Sequence, residues 1–194
     1  MTSTLPLEAA IGALTKALRE AGSPFMLIGG IAVIARGVAR VTTDVDATVR
    51  ALGGLLEELA ATLARHGIEG RIPDLLEFAR RNHVLLLRHQ PTGTPIEITL
   101  AWLPFEEEAL SRADQIDFGS TTAPVASVED LIVYKAVAWR DRDRSDIERL
   151  LVQYGDRVDL ARVRRIVAEF ADAMDVPERT SDLEALIGRS KAAD

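Results

Sequence analysis

The stretch that most restricts the fold of this chain is Leu27–Val49, LIGGIAVIARGVARVTTDVDATV. The apolar run FMLI before the glycine pair Gly29-Gly30, with Pro24 on its other side, reads as a short buried strand. Gly30–Val38 is apolar and alanine-rich and reads as a short helix. The residues through "DATV" then extend into a second strand. A glycine pair between a strand and a helix start lets backbone N–H groups approach a phosphate closely. In the second strand Asp44 and Asp46 stand at i and i+2, so both side chains leave one face. Two carboxylates that close repel unless a positive charge lies between them. Magnesium supplies such a charge, and carboxylate oxygen is its preferred protein ligand. Val45 and Val49 place the strand's other face in a core. Taken singly, the glycine pair also suits a tight turn and the two acids a solvated edge strand. Their combination is far more specific than either part.

Composition bounds the remaining possibilities. With 194 residues, 47% hydrophobic and 27% charged, the chain can bury the core of one ordinary domain or of a domain with an appendage. A net charge of −7 argues against an extended duplex-DNA surface, which would be basic. The absence of cysteine excludes disulfides, zinc–thiolate sites and thiol nucleophiles. His66, His83 and His89 show no i, i+4 pairing, so a histidine metal site is not expected. No apolar stretch approaches the roughly 20 residues of a membrane span. The N-terminus lacks the basic start of a signal peptide, and a cytoplasmic location is the expectation.

Along the chain, residues 7–20 read as an amphipathic helix, with Leu7, Ile11, Leu14 and Leu18 on one face. Leu52, Leu55, Leu56, Leu59 and Leu63 repeat that spacing ahead of Gly67, and a further helical piece follows Pro73. HVLLLRH (83–89) and TPIEITLA (94–101) flank QPTG as a hairpin. In its second strand Ile96, Ile98 and Leu100 share one face, and Glu97 and Thr99 the other. After Pro124 the pattern turns helical, beginning at Ser127 with a capping spacing to Asp130. The arginines between Arg140 and Arg165 are interleaved with acids and read as a solvated face. Trp102 and Trp139 read as core or interface residues, and Tyr134 and Tyr154 as packing.

GGIAVIARGVARVTTDVDATV resembles the signature of the nucleotidyltransferase fold of the DNA polymerase beta superfamily. In particular it is similar to the AbiEii-like toxin nucleotidyltransferases of type IV toxin–antitoxin systems. The resemblance implies that Gly29 and Gly30 touch a nucleoside triphosphate and that Asp44 and Asp46 bind two magnesium ions. Arg40 and Thr42 match the family's R-x-T positions, in contact with nucleotide or as shapers of the turn. The fold carries a third carboxylate on a later strand. Glu97 is the candidate and Asp117 the rival. The resemblance extends to SVEDLIVYKAVAWRDRDRSDIERLL, where Lys135 matches a helical lysine and Asp143 and Asp146 two following acids. A lysine between Val133 and Val137 on an apolar helix suits a point charge for triphosphate oxygens, with Asp143 orienting it or the substrate. A snorkelling lysine at the helix edge is the plainer alternative.

The expected architecture is therefore α+β: a mixed-sheet nucleotidyltransferase-like core over 1–125 and a C-terminal helical bundle over 126–194. The expected activity is magnesium-dependent transfer of a nucleoside monophosphate to an acceptor. The resemblance implies an RNA acceptor, tRNA among them, and a cognate antitoxin. The competing classes are a nucleotide- or protein-binding module on the same scaffold, and transfer to a small molecule or a protein.

Overall fold

The computed structural model describes residues 4–50 and 56–192. The chain forms two compact units that do not follow chain order: Met1–Ala32 with Val41–Ala126, and Val33–Arg40 with Ser127–Asp194.

The first unit opens with α1 (Thr4–Glu20), which starts a little before the amphipathic stretch. Its Ile11, Leu14 and Leu18 are buried, and Gly22, at φ 63°, ends it where a side chain would be strained. β1 (Phe25–Ile28) follows, then α2 (Gly29–Ala35), whose last residues belong to the second unit. α2 is shorter than the Gly30–Val38 helix expected, because Gly37, at φ 87°, stops it. β2 (Val45–Arg50) leads to α3 (Leu56–Arg65), with Leu59 and Leu63 buried; Leu52 and Leu55 of the expected helix lie outside the described residues. β3 (Ile68–Gly70), α4 (Leu75–Asn82), β4 (Val84–His89), β5 (Thr94–Ala101), α5 (Pro104–Ser111), β6 (Asp114–Asp117) and β7 (Thr122–Val125) complete the unit.

The seven strands form one sheet in the order β3-β4-β5-β2-β1-β7-β6. β2 runs parallel to β5 and β1 parallel to β7, while the other neighbours are antiparallel. The sheet is therefore mixed, within the α+β class expected. Its core face carries Val45, Ala47 and Val49 of β2, Ile96, Ile98 and Leu100 of β5, and Leu85 and Leu87 of β4, all buried. α1 lies against β2 and β5. With that face closed by apolar side chains, strict alternation directs Asp46, Glu97 and Leu86 to the opposite face.

The second unit holds α6 (Val128–Ala138), α7 (Asp141–Tyr154), a 3-10 turn (Gly155–Arg157), α8 (Leu160–Ala173) and α9 (Glu178–Ala192). Ser127 caps α6 as its spacing indicated, its hydroxyl oxygen accepting from Asp130 N at 3.1 Å. Residues 33–40 join this unit through α7. Tyr154 Oη donates to the Arg36 carbonyl at 3.0 Å, Arg149 donates to the Ala39 carbonyl at 3.1 Å, and Val38 is buried.

Two expectations about side chains change. Trp102 is 61% exposed, and its ring stacks on His83 with centroids 5.1 Å apart, so of the two readings, core or interface, the first is excluded. Among the arginines read as a solvated face, Arg162 turns inward and donates to the fully buried Asp130 at 3.0 Å. A buried carboxylate needs such a partner, and this demand outweighs the polar pattern of α8.

Candidate active site

In the first unit the site is built on the non-core face of β2 and β5. Their parallel register sets Asp46 opposite Glu97, and β1 sets Ile28 on the other side of Asp46. Neighbouring strands lie about 4.8 Å apart, so two carboxylates stand side by side on one face. The sequence indicated each acid by alternation within its own strand. That β2 and β5 are direct neighbours emerges only from the topology. The rival Asp117 ends β6 at the far edge of the sheet, beyond β1 and β7, and its Oδ1 accepts from Gly119 N at 2.8 Å. The structure brings Glu97, and not Asp117, beside Asp46.

Asp44 falls one residue before β2 begins. The shared strand face deduced from i, i+2 spacing therefore does not place it. Its position comes instead from the turn, where Thr42 Oγ1 donates to Asp44 Oδ1 at 2.6 Å. Thr42, buried, spends its hydroxyl on shaping this turn, one of the two roles its position allowed.

Gly29 is fixed as glycine twice over. Its φ is 63°, and a Cβ there would lie 1.9 Å from Asp46 Oδ2. The backbone at the end of β1 thus abuts the Asp46 carboxylate with no room for a side chain. Gly30 follows it, buried, in α2. At under two turns, α2 offers backbone N–H groups rather than a long helix dipole.

These features bear on whether a divalent cation suits the residues present. Asp44 and Asp46 supply hard carboxylate oxygens, the ligands magnesium selects. Thr42 orients one, and Gly29, lacking a Cβ, accommodates the other. Glu97 stands at the right strand position, but its carboxylate is joined to the Arg71 guanidinium. Among the described residues no group of three or more acidic or histidine side chains stands in a metal-binding cluster. The Asp44–Asp46 pair fits the cation by donor type and by the cradle at Gly29, which a Cβ would fill; Glu97 fits by its place on the sheet.

The second unit carries the remaining candidates. Lys135, on α6, is 5% exposed, and its Nζ lies 2.7 Å from Asp146 Oδ2 and 3.5 Å from Asp143 Oδ1. Arg40 donates to the same Asp146 oxygen at 2.6 Å. Asp143 also caps the start of α7, accepting from Arg140 N at 3.1 Å. Arg40 and Lys135 are thus a pair of cations held on one carboxylate oxygen. Lys135 is no snorkelling surface residue, since its ammonium is buried and matched. Asp146, read from the sequence as a second acid of a run, is the residue that joins the other two. The pattern R-D-x-x-D held the signal, but not which acid took which cation.

Residues 13–191 match the family model described as nucleotidyl transferase AbiEii toxin, type IV TA system. The chain belongs to the AbiEii family. By that membership it is a nucleotidyltransferase, of a family that uses a divalent metal. Solved structures agree on the fold. The solution structure of the antibiotic-resistance factor ANT(2'')-Ia is similar at a TM-score of 0.61 and 19% identity, covering 94% of this chain and 99% of that one. Its crystal structure in complex with adenylyl-2''-tobramycin gives 0.59 at 19% identity, over 87% and 98%. An antigenic nucleotidyltransferase-like protein from Paracoccidioides brasiliensis gives 0.55 at 17% identity, over 94% of each chain. No curated protein matches the chain. Among the described residues no helix is long and apolar enough to cross a membrane.

Proposed function

We propose that this AbiEii-family chain transfers a nucleoside monophosphate from an NTP to a hydroxyl of RNA, tRNA being the leading acceptor, and that a cognate antitoxin restrains it. The observation that carries the reading is the adjacency of Asp46 and Glu97 on one sheet face, with the Gly29 backbone against Asp46. Asp44, Asp46 and Glu97 are the proposed holders of two magnesium ions. When bound, such ions lower the pKa of an acceptor hydroxyl and stabilise the charge on departing pyrophosphate.

The chain's own residues supply the rest. Gly29 and Gly30 offer backbone N–H groups to the triphosphate, made approachable by the missing Cβ atoms. Thr42 keeps Asp44 turned to its task through the hydroxyl bond. Lys135, with Asp143 as its orienting partner, and Arg40 are the proposed nucleotide-binding cations of the helical unit. The acceptor oxygen attacks the α-phosphorus, and a new P–O ester bond forms as the bond to the β-phosphate breaks. The hydroxyl proton leaves to solvent, and pyrophosphate departs with the bonding electrons.

A second reading, transfer to a small molecule, is favoured by one finding: ANT(2'')-Ia has been solved with adenylyl-2''-tobramycin, a small-molecule adduct. One assay separates the two. The protein, free of partner, is incubated with magnesium, each of the four NTPs labelled at the α-phosphate, and total RNA. The proposal expects label in the RNA fraction and stoichiometric pyrophosphate. Label confined to small-molecule or protein fractions transfers the assignment to those acceptors. NTP binding without label transfer anywhere favours the non-catalytic module.

A further inference from the structure

One row of aligned residues crosses four strands of the sheet on the face that bears the proposed ligands, with two carboxylates at its centre. The register aligns Ile28, Asp46, Glu97 and Leu86 in that order on β1, β2, β5 and β4. Beyond the end of β3 the row continues to Arg71, whose backbone N–H donates to the Leu86 carbonyl at 3.0 Å. Pinned there, the Arg71 side chain passes Leu86 and places its guanidinium on Glu97 Oε1. Two other arginines of this face are engaged elsewhere. Arg50 pairs with Glu107, and Arg88 donates to the Gly93 carbonyl.

Like charges directly opposite on neighbouring strands destabilise a sheet. Asp46 and Glu97 are such a pair, and Arg71 supplies a cation at one end of it. The Arg71–Glu97 pair is partly exposed, with side chains 27% and 45% accessible, so it holds the fold together only weakly. Its consequence is for what else can use Glu97. A divalent cation seeking that carboxylate must compete with a resident guanidinium. A triphosphate reverses the balance, because the planar fork of arginine matches phosphate as well as carboxylate.

We propose that Arg71 is the resident counter-ion of Glu97, and that it moves to the triphosphate when metal and nucleotide load. Metal alone then binds weakly, and metal with a polyphosphate binds strongly. This makes Arg71 a positioning residue that couples the two ligands, and it rests on the metal-and-nucleotide reading of the site given above.

The test uses manganese as the metal probe and inorganic tripolyphosphate as the phosphate probe. Free manganese is followed by its electron paramagnetic resonance signal, and the manganese–tripolyphosphate complex by calorimetry. Arg71→Gln should bind manganese alone about tenfold more tightly than the natural chain, the effect of one nearby charge on a partly exposed site. The same variant should bind manganese–tripolyphosphate about tenfold more weakly. Arg71→Lys keeps the charge and loses the fork, so only the second affinity should fall. A double variant, Arg71→Gln with Glu97→Gln, should bind manganese alone no better than Glu97→Gln, because Arg71 acts through Glu97. A purely structural ion pair would move neither affinity. Unchanged or weakened manganese binding in Arg71→Gln overturns the inference and leaves the site reading standing. A natural chain that binds neither probe overturns the site reading itself.

Discussion

Gly29 and Lys135 show how differently single residues serve this chain. Gly29 gives up a side chain so that backbone and carboxylate can meet. Gly29→Ala would drive a Cβ into Asp46 and force a side-chain-bearing residue into left-handed backbone, at φ 63°. The strain costs about 1–3 kcal/mol, and the displaced carboxylate is a proposed metal ligand. We expect a lower urea midpoint together with loss of nucleotide transfer. A variant that keeps transfer would show that the close approach is incidental. Lys135 works by its charge. It is nearly buried, against Asp146 at 2.7 Å and Asp143 at 3.5 Å. Lys135→Met fills the apolar space but leaves two buried carboxylates short of a cation, and breaking such a pair costs about 3–5 kcal/mol. Because Arg40 still reaches Asp146, we expect the lower end, about 3 kcal/mol, measured by urea unfolding, and weaker NTP binding. Unchanged stability would mean that the ion pairs contribute nothing to the fold.

The β4–β5 hairpin makes the element scale testable through His89. Burial pushes the His89 imidazole below its ordinary value, and its Nδ1 lies 2.8 Å from Thr92 Oγ1 at the turn. The folded state therefore holds fewer protons on this group than the unfolded chain. Its contribution to stability is complete above about pH 6.5, the unfolded value, and declines as pH falls below it. His89→Gln should flatten the urea midpoint between pH 7 and 5 relative to the natural chain. An equal decline in both would assign the dependence to other groups. This hairpin was legible because Ile96, Ile98 and Leu100 alternate cleanly with polar residues. β3 and β6 were not. IEG is too short to show a period, and DQID lies at the sheet edge with none of its residues buried, so neither carries an apolar rhythm. The same limit applies to Asp44. Alternation fixes a face only inside a strand, and β2 begins at Val45.

At the scale of the molecule, the family match runs from 13 to 191 and so includes both units. The motif residues divide between them. Gly29, Gly30, Thr42, Asp44, Asp46 and Glu97 lie in the sheet unit, and Arg40, Lys135 and Asp143 in the helical unit. Arg40 belongs to the helical unit although its sequence neighbours Val41 and Thr42 lie in the sheet unit; the Asp146 carboxylate that accepts from it is a long-range demand that no local pattern in residues 33–40 announces. The glycine pair and the paired acids were readable as a local motif, whereas the choice of Glu97 over Asp117 needed the strand order β5-β2-β1-β7-β6. That choice is also where the central claim is most exposed. The direct measurement is magnesium-dependent pyrophosphate release from NTP in the presence of acceptor, compared in Glu97→Gln and Asp117→Asn, with NTP binding followed in both. Removing a ligand to a catalytic metal should lower the rate about 10³-fold. The account predicts that Glu97→Gln binds NTP and loses turnover to that extent, while Asp117→Asn turns over like the natural chain. Full turnover by Glu97→Gln, or loss in Asp117→Asn alone, would contradict it.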